Sequence, residues 1–93
     1  MNKIKTNGKE GKELIKKIIL REREIILNSI KTTEYTLRTF ESEHDMKSAT
    51  FMKKYLDGQM GDDENYMIWA AQIQSLRKLK SDLTNLSGIK IVS

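Results

Sequence analysis

A histidine flanked by two acids is the first group in this sequence whose side chains could do chemistry: Glu43, His44 and Asp45. Such a triplet could bind a metal ion or transfer a proton. A working site needs further groups that converge from other elements, and the chain has no second histidine and no cysteine. We therefore interpret the triplet as the polar end of a helix at the surface, and we predict no metal site.

A second polar cluster surrounds two glycines, in the segment 57–64 with the sequence DGQMGDDE. Its acids lack the alternating oxygen ligands and the glutamate at the twelfth position that a calcium loop requires. Gly58 and Gly61 are not followed by the lysine and hydroxyl residue of a phosphate-binding loop. Helix capping and a polar turn explain this segment. The alternative is that Asp62 and Asp63 contact a basic partner surface.

The remaining composition narrows the class of protein. No serine–histidine–acid pattern or cofactor motif is present, so we predict a non-enzymatic protein without a cofactor. The lack of cysteine excludes a disulfide framework. No apolar run approaches the roughly 20 residues of a membrane span, and no apolar segment follows the N-terminal lysines as it would in a signal peptide. We expect a cytoplasmic protein with no membrane association.

Charge is unevenly distributed along the chain, whose net charge is +4. Residues 1–21 contain seven bases and two acids, residues 22–65 contain ten acids and six bases, and the remainder contains four bases and one acid. The basic N-terminal segment could contact nucleic acid or an acidic protein, and a solvated tail is the alternative. A nucleic-acid-binding protein is therefore our alternative function, although no aromatic or glycine–arginine pattern accompanies the lysines. Its binding residues would be Lys3, Lys5, Lys9, Lys12, Lys16 and Lys17.

The apolar pattern predicts an all-α fold. Proline is absent and neither long apolar stripe contains glycine, so nothing interrupts a long helix. Residues 1–11 are polar and lysine-rich, and we predict a disordered basic arm there. From residue 12, apolar residues recur at three- and four-residue steps with one seven-residue gap, which predicts a first helix about 45 Å long. Its stripe consists of Ile15, Ile19, Ile26, Ile30, Thr33, Leu37 and Phe40.

Further aliphatic side chains widen the apolar surface of this first helix. Leu14, Ile18 and Ile25 lie beside the stripe. Leu20 and Leu27 extend the apolar surface further around the helix. A surface of this width is more than one antiparallel neighbour can cover.

Two more helices are expected. Ser48 is predicted to cap a short helix over residues 49–56, which Gly58 would close in the left-handed conformation. Asp62 or Asp63 would cap the third helix, and Phe51, Tyr55 and Trp69 would pack behind this turn. The apolar stripe of the third helix resembles a coiled-coil seam and consists of Tyr66, Trp69, Ile73, Leu76, Leu79, Leu83 and Leu86.

These elements predict an antiparallel hairpin of two long helices over residues 12–88, with the short helix packed across its closed end. Residues 89–93 would form a flexible tail, either frayed coil or a strand added to the sheet edge of another protein. The open end would be incomplete in a monomer. Either a homodimer that forms a helical bundle or a different protein would complete it.

A longer pattern connects the short helix, the glycine turn and the third helix. It reads Phe51-x-x-Lys54-Tyr55-x-x-Gly58-x-x-Gly61-Asp62-Asp63, followed after five residues by Trp69. This pattern, flanked by long charged helices, resembles small helical antitoxin-like proteins of archaea and cyanobacteria that are encoded beside ribonuclease-type toxins. The match covers about a fifth of the chain directly.

The resemblance implies a non-enzymatic partner that neutralises a small toxin by covering its basic, RNA-facing cleft with acidic and apolar helical surface. A structural or chaperone-like coiled-coil hairpin fits the same architecture and differs only in its partner. The acids suited to toxin binding are Glu41, Glu43, Asp62, Asp63 and Glu64. The apolar protein-binding residues would be Leu79, Leu83, Leu86, Ile89 and Ile91.

Overall fold

A computed structural model describes residues 3–5 and 8–92 and confirms the predicted helical hairpin. The helices of the described residues are α1 (Lys9–His44), α2 (Ser48–Leu56) and α3 (Glu64–Ser87). Two short strands lie at the ends of the chain, β1 (Lys3–Lys5) and β2 (Lys90–Val92). The long helices α1 and α3 pack against each other, and α2 packs against both at the closed end. None of the helices in the described part of the chain combines the length and apolar character of a membrane span.

The molecule is rod-shaped because two long helices lie side by side and the longer one, α1, extends beyond α3. The described chain measures 57 × 22 × 18 Å, and its radius of gyration is 18.3 Å. A compact chain of this length would have a radius of gyration of about 12 Å. Since α1 has 36 residues and α3 has 24, roughly 18 Å of α1 projects beyond the end of α3 at the open end.

The core is concentrated at the closed end, where α2 covers the two long helices. Phe51 and Trp69 have no solvent exposure, and their rings lie parallel with 3.9 Å between centroids. Tyr55 packs against this pair, as the sequence predicted. The other buried residues of this cluster are Leu37, Met52, Ala70 and Ile73. Towards the open end, α1 contributes buried Ile26, Ile30 and Thr33.

Three of the predicted helix boundaries at the closed end are confirmed. Helix α1 ends without a glycine, because Asp45 itself adopts the left-handed conformation with φ of 47°. Asp63 caps α3, since its Oδ1 accepts a hydrogen bond from the Asn65 backbone N–H at 2.8 Å. Gly58 follows α2 with φ of 74°, in the left-handed region that favours glycine.

The predicted cap of α2 is wrong. The helix begins at Ser48, and its N-cap residue Lys47 makes no side-chain capping bond. Instead, the Ser48 backbone N–H donates to Glu41 Oε2 at 2.7 Å. A carboxylate is the stronger acceptor for a helix N-terminus, and the tight turn after α1 brings Glu41 within reach. The Ser48 hydroxyl is thereby free to accept a hydrogen bond from Trp69 Nε1 at 3.0 Å.

The two chain ends differ from the predicted disordered arm over residues 1–11 and flexible tail over residues 89–93. The described part of the arm forms β1 and the first turn of α1, and β1 pairs in parallel with β2 in the register Lys3–Lys90 to Lys5–Val92. The hairpin returns the tail to the start of α1, so two extended segments satisfy each other's backbone groups. The tail thus pairs within its own chain. Residues 1, 2, 6, 7 and 93 lie outside the described part.

Replacing Gly58 by alanine should destabilise the hairpin by about 1–2 kcal/mol, because a side chain disfavours a positive φ. No atom lies within 4 Å of the added Cβ, so the cost is conformational and not steric. Gly58→Asn should therefore cost less than Gly58→Ala, since asparagine tolerates this conformation. Urea unfolding of the three proteins measures the order. Equal losses in both variants would contradict it.

Candidate protein-binding surfaces

A hydrogen-bonded chain of three residues fixes the closed end: Glu41, Ser48 and Trp69. The hydrogen bond from the Ser48 backbone N–H holds the pKa of Glu41 below its usual value. The Ser48 side chain and the positive charges of Lys47 and Arg38 act in the same direction, and partial burial opposes them. The first turn of α2 is therefore tied both to the last turn of α1 and to the core ring of α3.

His44 lies inside this end of the molecule, although the sequence suggested a surface residue. Its half-buried ring stacks on Trp69 at 5.2 Å and on Phe40 at 6.4 Å, and meets Tyr66 edge-on at 5.7 Å between centroids. The four-residue step from Phe40 to His44 was the signal for this stack. Among the described residues, no three or more His, Cys, Asp or Glu side chains converge as a metal site requires.

A groove opens on the closed end where α2, the glycine turn and α3 meet. Its apolar rim is exposed, since Leu56 is 72% and Met67 is 59% accessible. One acid, Asp62, lines it, and the turn segment 57–64 that borders it contains three more, Asp57, Asp63 and Glu64. We call this surface the acidic groove; it is lined by Tyr55, Leu56, Gly58, Gly61, Asp62 and Met67.

A second candidate surface begins with a row of aliphatic side chains on α1. Leu14, Ile18 and Ile25 are between 50% and 59% exposed. Steps of four and seven residues place them on one face of the helix. Leu14 and Ile18 belong to the part of α1 that projects beyond α3, so no neighbouring helix of the same chain covers them.

A matching row runs along α3. Ile68 is 44% exposed, while Leu79 and Leu86 are half-buried. Thr33 borders two neighbouring grooves. Thr32 of α1 lines the first groove, and Leu79 of α3 lines the second. The row on α3 therefore lies on the same broad side of the hairpin as the row on α1. We call the two rows together the outer seam: Leu14, Ile18 and Ile25 on α1, and Ile68, Leu79 and Leu86 on α3.

The structure separates the residues that the sequence grouped as one protein-binding set. Leu79, Leu83, Leu86 and Ile89 are half-buried along the open half of the hairpin, and Leu86 and Ile89 line a groove with α1. The Ile91 side chain lies outside the described part. Asp62 and Asp63 lie beyond the N-terminus of α3 at the closed end, roughly 35 Å from Leu86.

The basic residues of the alternative site gather at the open end. Lys9, Lys12 and Lys16 share one face of α1 at three- and four-residue steps, and Lys17 lies on another face. Lys3 and Lys5 belong to β1, and their side chains lie outside the described part. No aromatic residue accompanies these lysines, since the ring contacts of the described residues all lie at the closed end.

Sequence reasoning did not assign Leu56, Met67 or Ile68 to a binding surface. One signal was available for the last two. Residues 65–76 contain no charged side chain, in a chain that is 32% charged. A helix that buries a single stripe normally carries charged residues on its other faces. The absence of charge on every face of residues 65–76 therefore indicated a second contact surface.

Comparisons of the chain with protein-family models, with curated proteins and with solved structures found no match. The fold and the two surfaces therefore carry the functional inference. They describe a helical hairpin with a polar–apolar groove at one end and an uncovered apolar seam along one side.

Proposed function

We propose that this chain is a non-enzymatic helical module that binds a protein with a basic surface through the acidic groove. The exposure of Leu56 and Met67 beside Asp62 carries this proposal. Exposed large apolar side chains grouped in a groove are typical of interaction sites, and methionine is enriched in protein interfaces. The surrounding acids would accelerate encounter with a basic partner and disfavour an acidic one.

The antitoxin-like resemblance is consistent with the same surface. Four residues of the resembling pattern line the acidic groove: Tyr55, Gly58, Gly61 and Asp62. A ribonuclease toxin binds a polyanion, so its substrate cleft must be basic. We therefore propose such a toxin as the partner, with the acidic groove covering its cleft.

The alternatives have less support. Nucleic-acid binding by the open-end lysines would lack the aromatic side chains on which bases stack. A purely structural hairpin does not account for two exposed apolar residues next to an acidic turn.

Substituting Met67 by lysine should weaken partner binding at least tenfold, because the change removes an apolar contact and adds a charge that repels a basic surface. The matched control is Leu20→Lys, which changes a residue that is 62% exposed on α1 and far from the groove. Wild type and both variants are immobilised, a partner is captured from cells of the source organism, and its affinity is measured with purified proteins. Equal affinities for all three would reject the groove.

Growth assays then test the antitoxin-like role. We expect the captured partner, expressed alone, to arrest growth and degrade cellular RNA. Co-expression with the wild-type chain should restore growth, and co-expression with Met67→Lys should not. A partner that binds the groove but has no ribonuclease activity would reject the antitoxin role and leave protein binding standing.

A further inference from the structure

With the polar positions Thr32 on α1 and Gln72 on α3 added, the two rows of the outer seam have the same spacing. On α1, aliphatic residues follow Leu14 by four and eleven residues. On α3, Gln72 and Leu79 follow Ile68 by the same two intervals. Each helical residue advances about 1.5 Å along the helix axis. Corresponding residues of two equally spaced rows can therefore lie at the same heights only if the two helices run in the same direction. Within one hairpin α1 and α3 run in opposite directions, so this match has no use inside a single copy.

The seam also contains two layers, each made of one residue from α1 and one from α3: Ile25 with Leu86, and Thr32 with Leu79. Leu86 and Ile26 line one groove, and Leu79 and Thr33 line another, so Leu86 lies near the level of Ile25 and Leu79 near the level of Thr32. The two layers are seven residues apart on both helices. A two-fold axis between them would bring each layer of one copy onto the other layer of a second copy.

We propose that a second copy of this chain covers the outer seam, in a two-fold dimer whose hairpins stack face to face and point in opposite directions. Helix α1 then lies against α1 of the second copy, and α3 against α3. Each Ile25–Leu86 layer meets a Thr32–Leu79 layer. The equal spacing brings the projecting Leu14 level with the exposed Ile68 of the second copy. This surface is distinct from the acidic groove, so the dimer extends the proposed function and does not depend on it.

Charge favours opposite directions over equal ones. Residues 9–21 at the open end contain five bases and two acids, whereas residues 41–64 at the closed end contain seven acids and three bases. Opposed hairpins bring each basic end beside an acidic end, and hairpins in the same direction would bring like charges together. Few charges interrupt the centre of the seam, and Glu43 lies on the same face of α1 beyond it, five helical turns after Ile25. Arg21 and Asp82 have opposite signs, and Asp82 already pairs with Lys78 at 3.3 Å.

The available area suits a stable dimer. In this register α1 lies against α1 of the second copy over roughly 45 Å, and α3 lies against α3 over roughly 14 Å, because α3 ends only about five residues beyond the two-fold axis. With each helix about half as wide as the 22 Å rod, the contact covers roughly 650 Å² on each copy, or about 1,300 Å² in total, which is within the range of specific interfaces. Small side chains at its centre, Ser29 and Thr32, allow the two α1 helices to approach closely.

Sedimentation of the full chain tests the surface. We expect wild type to be dimeric at micromolar concentration and Ile25→Glu to raise the dimer Kd at least about 100-fold, since a two-fold interface carries each substitution twice. Leu20→Glu is the matched control, because Leu20 is equally apolar and exposed but lies about 200° around α1 from Ile18. It should change the Kd less than about threefold. Circular dichroism verifies that both variants remain helical.

Disulfide trapping tests the direction, because the chain contains no cysteine. In opposed hairpins the two-fold axis passes beside Ser29, so Ser29→Cys should form a covalent dimer under oxidation. The two Ile18 positions would then be roughly 30 Å apart, so Ile18→Cys should remain monomeric on a denaturing gel. In hairpins of equal direction α1 would lie against α3 of the second copy, so neither Ser29→Cys nor Ile18→Cys would form the covalent dimer.

Three results would overturn the dimer: a wild-type monomer, an unchanged Kd in Ile25→Glu, or no covalent dimer from Ser29→Cys. None of them affects the acidic groove. A monomeric chain whose Met67→Lys variant loses a basic partner would leave the proposed function intact, and a seam dimer without any such partner would remove the function and keep the dimer.

Discussion

Replacing Trp69 by alanine is expected to destabilise the hairpin by about 3–5 kcal/mol. The indole has no solvent exposure, stacks on Phe51 with 3.9 Å between centroids, and donates from Nε1 to the Ser48 hydroxyl at 3.0 Å. A chain of this length is stable by roughly 5–14 kcal/mol, so the substitution removes a large fraction of the total. Urea unfolding followed by far-UV circular dichroism measures the loss.

Two further variants separate the contributions of the ring and its hydrogen bond. Trp69→Phe keeps an aromatic ring against Phe51 but leaves the Ser48 hydroxyl without its donor, and it should cost less, about 1–2 kcal/mol. Tyr35→Ala removes an exposed ring from the middle of α1 and should stay within about 0.5 kcal/mol of wild type. Comparable losses in Trp69→Ala and Tyr35→Ala would contradict a core concentrated at the closed end.

The sequence predicted the parts of this fold that depend on local periodicity and local turn chemistry. Three- and four-residue steps identified both long helices, and Gly58 and Asp63 marked the turn between α2 and α3. The packing of Tyr55 near Trp69 followed from the same pattern, because both residues lie on apolar faces adjacent to that turn. These features require only residue type and spacing.

Features that depend on the meeting of distant segments were not predictable in the same way. Glu41 caps a helix that starts seven residues later, and this contact exists only because the left-handed Asp45 turns the chain so tightly. The pairing of β1 with β2 likewise depends on the hairpin bringing both ends together.

The exposed surfaces also could not be predicted from residue type and spacing alone. Ile25 and Ile26 are adjacent and chemically identical, yet one is 50% exposed and the other is buried. Periodicity shows that both faces are apolar, but the rotation of α3 around α1 decides which face is covered. The large distance between Asp62 and Leu86 was predictable, because a hairpin necessarily places these two residues at opposite ends of α3.

Removing the carboxylate of Glu41 is the other substitution with a large expected effect on stability. Glu41→Ala should cost about 1.5–3 kcal/mol at neutral pH, the usual range for a hydrogen bond to a charged group, because the Ser48 N–H loses its acceptor. The neighbouring Glu43→Ala provides a matched control. It removes the same charge from an exposed position in the same helical turn and should stay within about 0.5 kcal/mol of wild type. Equal losses would show that the cap does not contribute.

The position of Glu41 makes this contribution informative. An acid in the last turn of α1 is disfavoured by the dipole of that helix, whereas the start of α2 favours it. Because the pKa of Glu41 is lowered, the favourable interaction of its carboxylate with the start of α2 must outweigh the unfavourable interaction with the end of α1. The hydrogen bond from the Ser48 backbone N–H is the largest cause of the lowered pKa. Glu41→Gln retains an acceptor oxygen but no charge, so it should fall between wild type and Glu41→Ala.

The stabilisation by Glu41 should disappear in acid. Because the folded state holds the pKa of this carboxyl below its value in the unfolded chain, the unfolded chain takes up the proton first as the pH falls. The contribution is therefore complete above the unfolded pKa of about 4.3 and is lost as the pH falls through the lower folded pKa. The free energies of unfolding of wild type and Glu41→Ala, measured by urea at pH 7 and pH 3, should differ much less at the lower pH. The difference between wild type and Glu43→Ala should stay small at both. A gap for Glu41→Ala that is as large at pH 3 as at pH 7 would mean that packing, and not the charged hydrogen bond to Ser48, joins α2 to α1.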